Sequence, residues 1–195
     1  MTSPRNTVLI DRRTNKDVDA LAVCGLSVTS RANLANYYAK SKALSPTERD
    51  DAGYWDWNRI ESQSNGISNA EIWVIEVSPN IAKGCPITQG AMLLSDGISP
   101  VTQKELVEVH FLATAPHNRS RKKWFVFKEP GVFQGTGTAL LDIAKQRSIE
   151  LGFGGIIGLH SYATAEKFYE NSVKLKKYPG YEVGKRRLVY YEGIP

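Results

Sequence analysis

The C-terminal half of the chain alternates strand patterns with helix patterns, and this order restricts the fold more than any other feature. The longest strand pattern, ELVEVHFLATA at 105–115, ends at Pro116. Further along follow a glycine-rich turn, a long helix, a short strand, a helix and the last strand of a hairpin, at 134–139, 140–151, 155–159, 163–173 and 187–191. Elements in this order pack as helices on a sheet. We therefore predict an α/β fold with a mixed central sheet flanked by helices.

The N-terminal half is predicted to add further strands. The segment TVLI at 7–10 fits a short strand, whereas 17–26 fits strand alternation and helical periodicity equally well. Two apolar segments, 70–77 and 87–94, are typical strands, and Asp96-Gly97 is predicted to be the turn that closes the second.

Two helices are predicted between these strands, over 30–44 and 45–62. Ser45 can cap the second helix, Pro46 suits its first position, and Glu48 completes a capping box.

Alternation divides the strand 105–115 into two faces. One face is predicted to carry Val107, Val109, Phe111 and Ala113, and the other Glu108, His110, Leu112 and Thr114. In the helix that follows the glycine-rich turn, helical spacing predicts a buried stripe of Leu140, Leu141, Ala144, Ser148 and Leu151, with Gly152 ending the helix.

Composition is that of one folded domain. The chain has 195 residues, 42% of them hydrophobic and 23% charged, so we expect a single domain over 1–195. No run of 18 apolar residues and no N-terminal signal segment is present, so a cytoplasmic protein without membrane contact is expected. Cys24 and Cys85 are predicted to be reduced thiols. The net charge of +5 suits anionic partners such as nucleotides, CoA phosphates or RNA.

The glycine-rich turn Gln134-Gly135-Thr136-Gly137-Thr138-Ala139 precedes the long helix, where free N–H groups and the helix dipole favour an anion. It is not a P-loop, because no lysine follows the glycines, and not a dinucleotide fingerprint, because Leu140 stands at the third glycine position. A pyrophosphate loop of the pattern Gln/Arg-x-x-Gly-x-Gly/Ala fits. A flexible glycine linker is the alternative.

Several motifs together resemble the GNAT N-acetyltransferase superfamily. Leu112, Ala113 and Pro116 form an L-A-x-x-P pattern at the end of a strand, and the QGTGTA turn follows. The phrase SIELGFGGIIGLHSYATAEKFYE contains the Ala-x-x-x-Tyr pair Ala165 and Tyr169, and with APHNR and RRLVYYEG it is similar to bacterial GNAT proteins of unassigned substrate. The resemblance covers the C-terminal half well and the N-terminal half only in the order of its elements.

This resemblance implies a sheet that splays between the strands holding Leu112 and Leu159, with acetyl-CoA in the gap. The backbone of residues 112–114 (Leu112, Ala113, Thr114) is then expected to bind pantetheine, and 134–139 the pyrophosphate. Two departures from the family are visible. Tyr162 stands where the family often has an asparagine that contacts pantetheine, and 117–133 is an insertion.

The resemblance also implies the catalytic residues. Tyr169 is expected to be the general acid that protonates the leaving thiolate, and Glu108 the general base, with His110 on the same strand face as a substitute. The alternatives are a core tyrosine and a salt-bridged glutamate. A metal site at Glu108 and His110 lacks a third ligand, so no metal is expected.

The acceptor side is less defined. Trp55 and Trp57 lie in a helix that borders the acceptor pocket in this family, and His160 ends the splayed strand; all three have structural alternatives. Basic runs suit the CoA 3′-phosphate, RNA or plain solvent: Arg119, Arg121, Lys122, Lys123, Lys174, Lys176, Lys177, Lys185, Arg186 and Arg187.

The predicted function is acetyl-CoA-dependent transfer of an acetyl group to a primary amine of a small molecule or peptide, by direct attack in a ternary complex. Two alternatives stay open: a GNAT enzyme acting on an RNA-borne amine such as an aminoacyl-tRNA, and a non-catalytic acyl-CoA-binding sensor. A monomer or a homodimer fits either case.

Overall fold

The structure, a computed structural model, describes residues 3–38, 56–118, 132–162, 165–183 and 188–195. Its strands are β1 (Arg5–Asp11), β2 (Lys16–Cys24), β3 (Glu71–Val77), β4 (Thr88–Ile98), β5 (Glu105–Thr114), β6 (Phe133–Gln134), β7 (Ile157–Ser161), β8 (Lys176–Val183) and β9 (Leu188–Gly193). Its helices are α1 (Val28–Tyr38), α2 (Trp57–Ser64), α3 (Pro79–Ala82) and α4 (Thr136–Glu150), with a 3-10 turn (Pro116–Asn118) and a π-helix (Phe168–Ser172). None of the helices within these ranges is both long and apolar enough to cross a bilayer.

All of these strands join one sheet in the order β6-β1-β2-β3-β4-β5-β7-β9-β8. Neighbours are antiparallel except β5 and β7, which run parallel. A parallel pair needs a crossover connection, and α4 supplies it. The prediction of an α/β fold with a mixed sheet flanked by helices is confirmed.

Each face of the sheet has its own hydrophobic core. On one face, α4 buries Leu140, Leu141 and Ala144 against apolar residues of β3, β4, β5 and β7. On the other face, Leu34 of α1 and Trp57 of α2 pack against β3 and β4. The two helix layers bury both faces of the central strands.

Most strand predictions are confirmed, and 17–26 is resolved as a strand. It forms β2, whose residues pair with β1 on one side and β3 on the other. Sheet pairing on both edges decides between two patterns that the local sequence satisfies equally.

One predicted turn is wrong, and one predicted helix is not continuous. Asp96-Gly97 does not turn: both residues pair with β5, at Val107 and Leu106, and β4 continues to Ile98. The helix that ends at Ser64 begins at Trp57, because the Asp56 carboxylate accepts hydrogen bonds from the backbone N–H groups of residues 58 and 59 and caps it there. The predicted start at Ser45, with Pro46 and Glu48, lies outside the described residues.

A β-bulge breaks the predicted alternation of β5. Leu93 pairs with Phe111 but Leu94 pairs with Val109, so His110 is the extra residue. Val107, Val109 and Leu112 therefore share the α4 face, while Phe111 and Ala113 pack on the opposite face. The buried stripe of α4 is as predicted except at Leu151, which is 42% exposed because it follows the last helical turn.

Candidate active site

Strands β5 and β7 pair over a short stretch and then separate. Their paired residues are Val107 with Ile157, Glu108 with Gly158 and Val109 with Leu159. Beyond Val109, β5 continues for five residues to Thr114, paired only with β4. Because the Ala115 N–H donates to the Gln89 carbonyl in β4, strand alternation directs the backbone groups of Leu112 and Thr114 toward the opening. Hydrogen-bonding groups thus line a gap in the sheet.

The N-terminus of α4 offers a second set of backbone donors. Gly135 precedes the helix with φ of 96°, a left-handed conformation that favours glycine, and no side chain caps the helix. The first N–H of the turn with a backbone partner is that of Ala139, which donates to the Gly135 carbonyl. Among the described residues, the N–H groups of 136–138 and the buried Thr136 Oγ1 have no hydrogen-bond partner. This terminus is a ready site for an anion.

Gly137 brings this terminus close to the opening. A Cβ at this position would lie 3.2 Å from Phe168 Cζ and 3.6 Å from Thr114 Cγ2. A side chain at this position would have to move Phe168 by a few tenths of an ångström, so the glycine favours this close approach of α4 to the π-helix and to the end of β5. The backbone donors of β5 and of α4 therefore belong to one continuous site.

A buried amide network holds the chain on its way into α4. Asn118 Nδ2 donates to Gln89 Oε1 at 2.8 Å, and Asn118 Oδ1 accepts from the Phe133 N–H at 2.9 Å. His117 Nε2 also lies 3.0 Å from Gln89 Oε1. The network ties the turn after β5 to β4 and to β6, the strand that leads into the turn 134–139.

Burial lowers the pKa of His117 to about 4. The folded protein holds the neutral ring, so its stability contribution is complete above the unfolded pKa of about 6.5 and is lost as the pH falls toward 4. Between pH 7 and pH 4.5, the unfolding free energy of the wild type should therefore fall further than that of His117→Gln. We expect the difference between the two decreases to be on the order of 2 kcal/mol. Urea unfolding at both pH values measures this, and equal losses in the two proteins would contradict it.

The opposite face of the opening carries Glu108 and His110. His110 Nδ1 lies 3.9 Å from Glu108 Oε1, and His110 Nε2 lies 2.9 Å from Ser95 Oγ. The Ser95 hydroxyl lies within hydrogen-bond distance of both the Asp96 carbonyl and His110 Nε2. The His110 ring is thereby held with Nε2 on Ser95 and Nδ1 toward the Glu108 carboxylate.

Next to Glu108, a buried carboxylate fixes Tyr190. Glu192 is 5% exposed and accepts hydrogen bonds from Tyr190 at 2.8 Å, from Thr102 at 3.1 Å and from Ser99. Burial and Glu192 raise the pKa of Tyr190, so its hydroxyl stays protonated. The His160 ring lies 5.0 Å from the Tyr190 ring. The structure thus brings His160 to the same face as Glu108 and His110.

Tyr169 lies in the π-helix on the α4 face of the sheet. The Val173 N–H donates to the Phe168 carbonyl at 3.1 Å, a wider turn than the α-helix predicted over 163–173. The Tyr169 ring packs 5.1 Å from Phe168 and 5.6 Å from Tyr191, and the residue is 7% exposed. Burial raises the pKa of Tyr169 to about 12.

Other predicted positions are placed less centrally. The Gln134 side chain accepts a hydrogen bond from Arg12. The Tyr162 carbonyl accepts from the Ala165 N–H at 2.9 Å. Trp57 is 3% exposed and packs in the hydrophobic core rather than at the opening. Trp55 lies outside the described residues.

The basic runs are also dispersed. Lys177 pairs with Glu166 and Glu170, and Lys176 lies over the Tyr178 ring. The runs at 119–123 and 185–187 lie outside the described residues. In the part of the chain that the structure describes, no group of three His, Cys, Asp or Glu side chains is arranged to hold a metal.

A groove of about 630 Å³ lies elsewhere, between β1 and the exposed side of α4. Its lining includes Arg5, Asp142 and Lys145 but no residue of β5 or β7. It shares only Ala139 with the turn 134–139. The chemistry-bearing side chains are at the opening, so we place the candidate site there rather than in the groove.

Sequence reasoning missed three residues of this site: Ser95, Tyr190 and Phe168. Ser95 orients His110 from the neighbouring strand, Tyr190 covers Gly158 beside Glu108, and Phe168 lies against Gly137. Each acts through a contact across strands or elements. Phe168 alone had a local signal, since it precedes the tyrosine of the Ala-x-x-x-Tyr pair.

No known family profile matches the sequence, and no curated protein matches it. Solved structures do match. A GNAT-family protein from Desulfovibrio desulfuricans, described as an acetyltransferase, aligns with a TM-score of 0.55 at 14% identity over 90% of this chain and 98% of that one. A protein from Lactobacillus plantarum described as an N-acetyltransferase aligns with a TM-score of 0.51 at 16% identity, over 89% and 96%. A histone acetyltransferase HPA2-related protein from Corynebacterium glutamicum gives 0.51 at 14%, over 89% and 95%. At these identities the likeness concerns architecture, and this chain has the GNAT acetyltransferase fold.

Proposed function

We propose that the protein transfers an acetyl group from acetyl-CoA to a primary amine of a small molecule or peptide. The observation that carries this proposal is the parting of β5 from β7 after three residue pairs, beside an uncapped helix N-terminus. The opening presents backbone groups to an extended chain, and the terminus presents N–H groups to an anion. Acetyl-CoA combines these two features, since its pantetheine arm is an amide chain and its diphosphate is anionic.

The residues present suit this cosubstrate. Thr136 Oγ1 is buried without a described partner, and the N–H groups of 136–138 are free to bind diphosphate oxygens, with Gly135, Gly137 and Ala139 keeping their approach open. The backbone of Leu112 and Thr114 would bind the pantetheine amides, as Ala113 turns toward β4. Tyr162, at the end of β7, would flank the arm.

On the opposite face, we propose that His110 takes the proton of the attacking amine. Its Nδ1 lies 3.9 Å from Glu108 Oε1, and this carboxylate would stabilise the imidazolium that forms. The amine nitrogen forms its bond to the thioester carbon, and the proton it loses goes to Nδ1. Glu108 is then the neighbouring charge, and it accepts the proton itself when His110 is absent. His160 would border the acceptor amine.

On the α4 face, we propose that Tyr169 protonates the leaving sulfur. As the carbon–sulfur bond breaks, the thiolate takes the Tyr169 hydroxyl proton, which solvent later replaces. A pKa of about 12 keeps this hydroxyl protonated at neutral pH. No metal enters any of these steps.

His110→Gln is expected to lower kcat roughly 30-fold and leave the KM for acetyl-CoA unchanged. General bases contribute about 10²–10⁴-fold, and the loss here is smaller because Glu108 can accept the proton instead. Ser95→Ala, which frees the ring without removing it, is the matched control and should lose only a fewfold. Steady-state thiol release measures both. A His110→Gln enzyme as fast as the wild type would remove His110 from the mechanism.

The proposed function is tested by screening an amine library with acetyl-CoA and following free thiol. We expect a thermal shift with acetyl-CoA and thiol release with at least one primary amine. An acetyl-CoA concentration series that leaves the melting temperature unchanged contradicts the proposal. Binding without turnover across amines and aminoacyl-tRNA would instead favour an acyl-CoA sensor.

A further inference from the structure

The turn between β1 and β2 carries Arg12, which contacts Gln134 at the start of the glycine-rich turn. Arg12 Nε donates to Gln134 Oε1 at 3.1 Å, and the Arg12 backbone N–H donates to the Val132 carbonyl at 2.9 Å. The pairing of β1 with β6, at Ile10 with Gln134, fixes this turn beside the residue that precedes Gly135. The guanidinium of Arg12 thus lies next to the N-terminus of α4.

Arg12 differs from its neighbour Arg13 in what it binds. The Arg13 guanidinium donates to both carboxylate oxygens of Asp11 and to the carbonyls of Ile81 and Ala82. Asp11 is therefore already paired with Arg13, and this hydrogen bond lowers the pKa of Asp11. Among the described residues, Arg12 has no acidic partner, and neither of its Nη atoms makes a hydrogen bond. The hydrogen bond that Arg12 donates to Gln134 orients a guanidinium whose charge has no acidic partner among the described residues.

We propose that Arg12 binds the diphosphate of CoA, with Gln134 as its positioning residue. This inference rests on the proposed function and adds a side-chain contact to the backbone donors of residues 136–138. A guanidinium presents its two Nη groups as a fork that matches phosphate oxygens. In the same turn, Thr136 Oγ1 is buried and has no hydrogen-bond partner among the described residues. The first position of the loop pattern holds glutamine or arginine, and here the glutamine recruits an arginine from another strand.

Isothermal titration with CoA at fixed ionic strength tests the proposal. Arg12→Gln should raise the Kd about five- to tenfold, which lies between the contribution of an exposed ion pair and that of a buried hydrogen bond to a charged group. The same loss should appear with dephospho-CoA, which keeps the diphosphate. Lys16→Gln is the matched control: it removes one positive charge from the same hairpin, at an exposed residue without a described ion pair, and should leave the Kd within about twofold.

Gln134→Ala is the second variant, because it keeps the arginine and removes only its orientation. It should raise the Kd for CoA about two- to threefold. This variant also tests the inference if Arg12→Gln lowers the melting temperature. An unchanged Kd in both variants, with wild-type binding intact, overturns the inference alone. A loss seen with CoA but not with dephospho-CoA assigns Arg12 to the 3′-phosphate and also overturns it. Wild-type protein that binds no CoA overturns the proposed function with it.

Discussion

Gly137→Asp is expected to abolish acetyl-CoA binding in a protein that still folds. The new carboxylate would stand among the free N–H groups of α4, where it takes the place of the diphosphate and repels it. Its Cβ would also press on Phe168, 3.2 Å away. Like charges brought together in a binding site cost several kcal/mol, so the Kd should rise by at least about 100-fold. An acidic residue in the first turn of a helix is favourable to the helix itself, so folding is retained.

Titration with acetyl-CoA measures this effect, and circular dichroism verifies the fold. Gln146→Asp is the matched control, since it adds the same charge to an exposed position farther along α4 and should bind as the wild type does. Wild-type affinity in Gly137→Asp would show that the diphosphate binds elsewhere.

Tyr169→Phe is expected to lower kcat about 300-fold with little change in the Kd for acetyl-CoA, because a general acid contributes about 10²–10⁴-fold. The hydroxyl is buried, and a pKa of about 12 keeps it protonated throughout the neutral range. Removing one oxygen leaves the packing against Phe168 and Tyr191 in place. The loss should therefore appear in turnover rather than in binding.

Tyr191→Phe is the control for this variant. Tyr191 packs on Tyr169 and donates its hydroxyl to Glu170 at 3.2 Å, so it tests the loss of a neighbouring hydroxyl without the proposed proton transfer. Its kcat should stay within about threefold of the wild type, since a partly exposed hydrogen bond contributes little. Equal rates in the wild type and Tyr169→Phe would make Tyr169 a core residue only.

The regular elements of the fold were predictable because their signals are local. The apolar runs of β3 and β4, the strand pattern of β5, and the glycine turn before α4 are properties of contiguous residues. Segment 17–26 was not decided locally, since its pairing with β1 and β3 determines it. The start of α2 at Trp57 was missed because a strong capping box at Ser45 competed with a plain aspartate cap at Asp56.

The candidate site was predictable in its backbone part and much less in its side chains. The turn 134–139 and Tyr169 followed from the resemblance to GNAT proteins. The bulge at His110 has no signature in β5 alone, because it is defined by the register with β4. For the same reason the Ser95 contact that orients His110 and the Arg12 contact with Gln134 were not visible. These contacts join residues 15 and 122 positions apart.

The central claim is that acetyl-CoA lies in the gap between β5 and β7 with its diphosphate on α4. A crystal structure of the complex with acetyl-CoA measures this directly. We expect pantetheine alongside Leu112 and Thr114, the diphosphate within hydrogen-bond distance of the N–H groups of 136–138, and β5 unpaired with β7 beyond Val109. Strands paired along their whole length, or a cosubstrate bound away from the N-terminus of α4, would contradict the account.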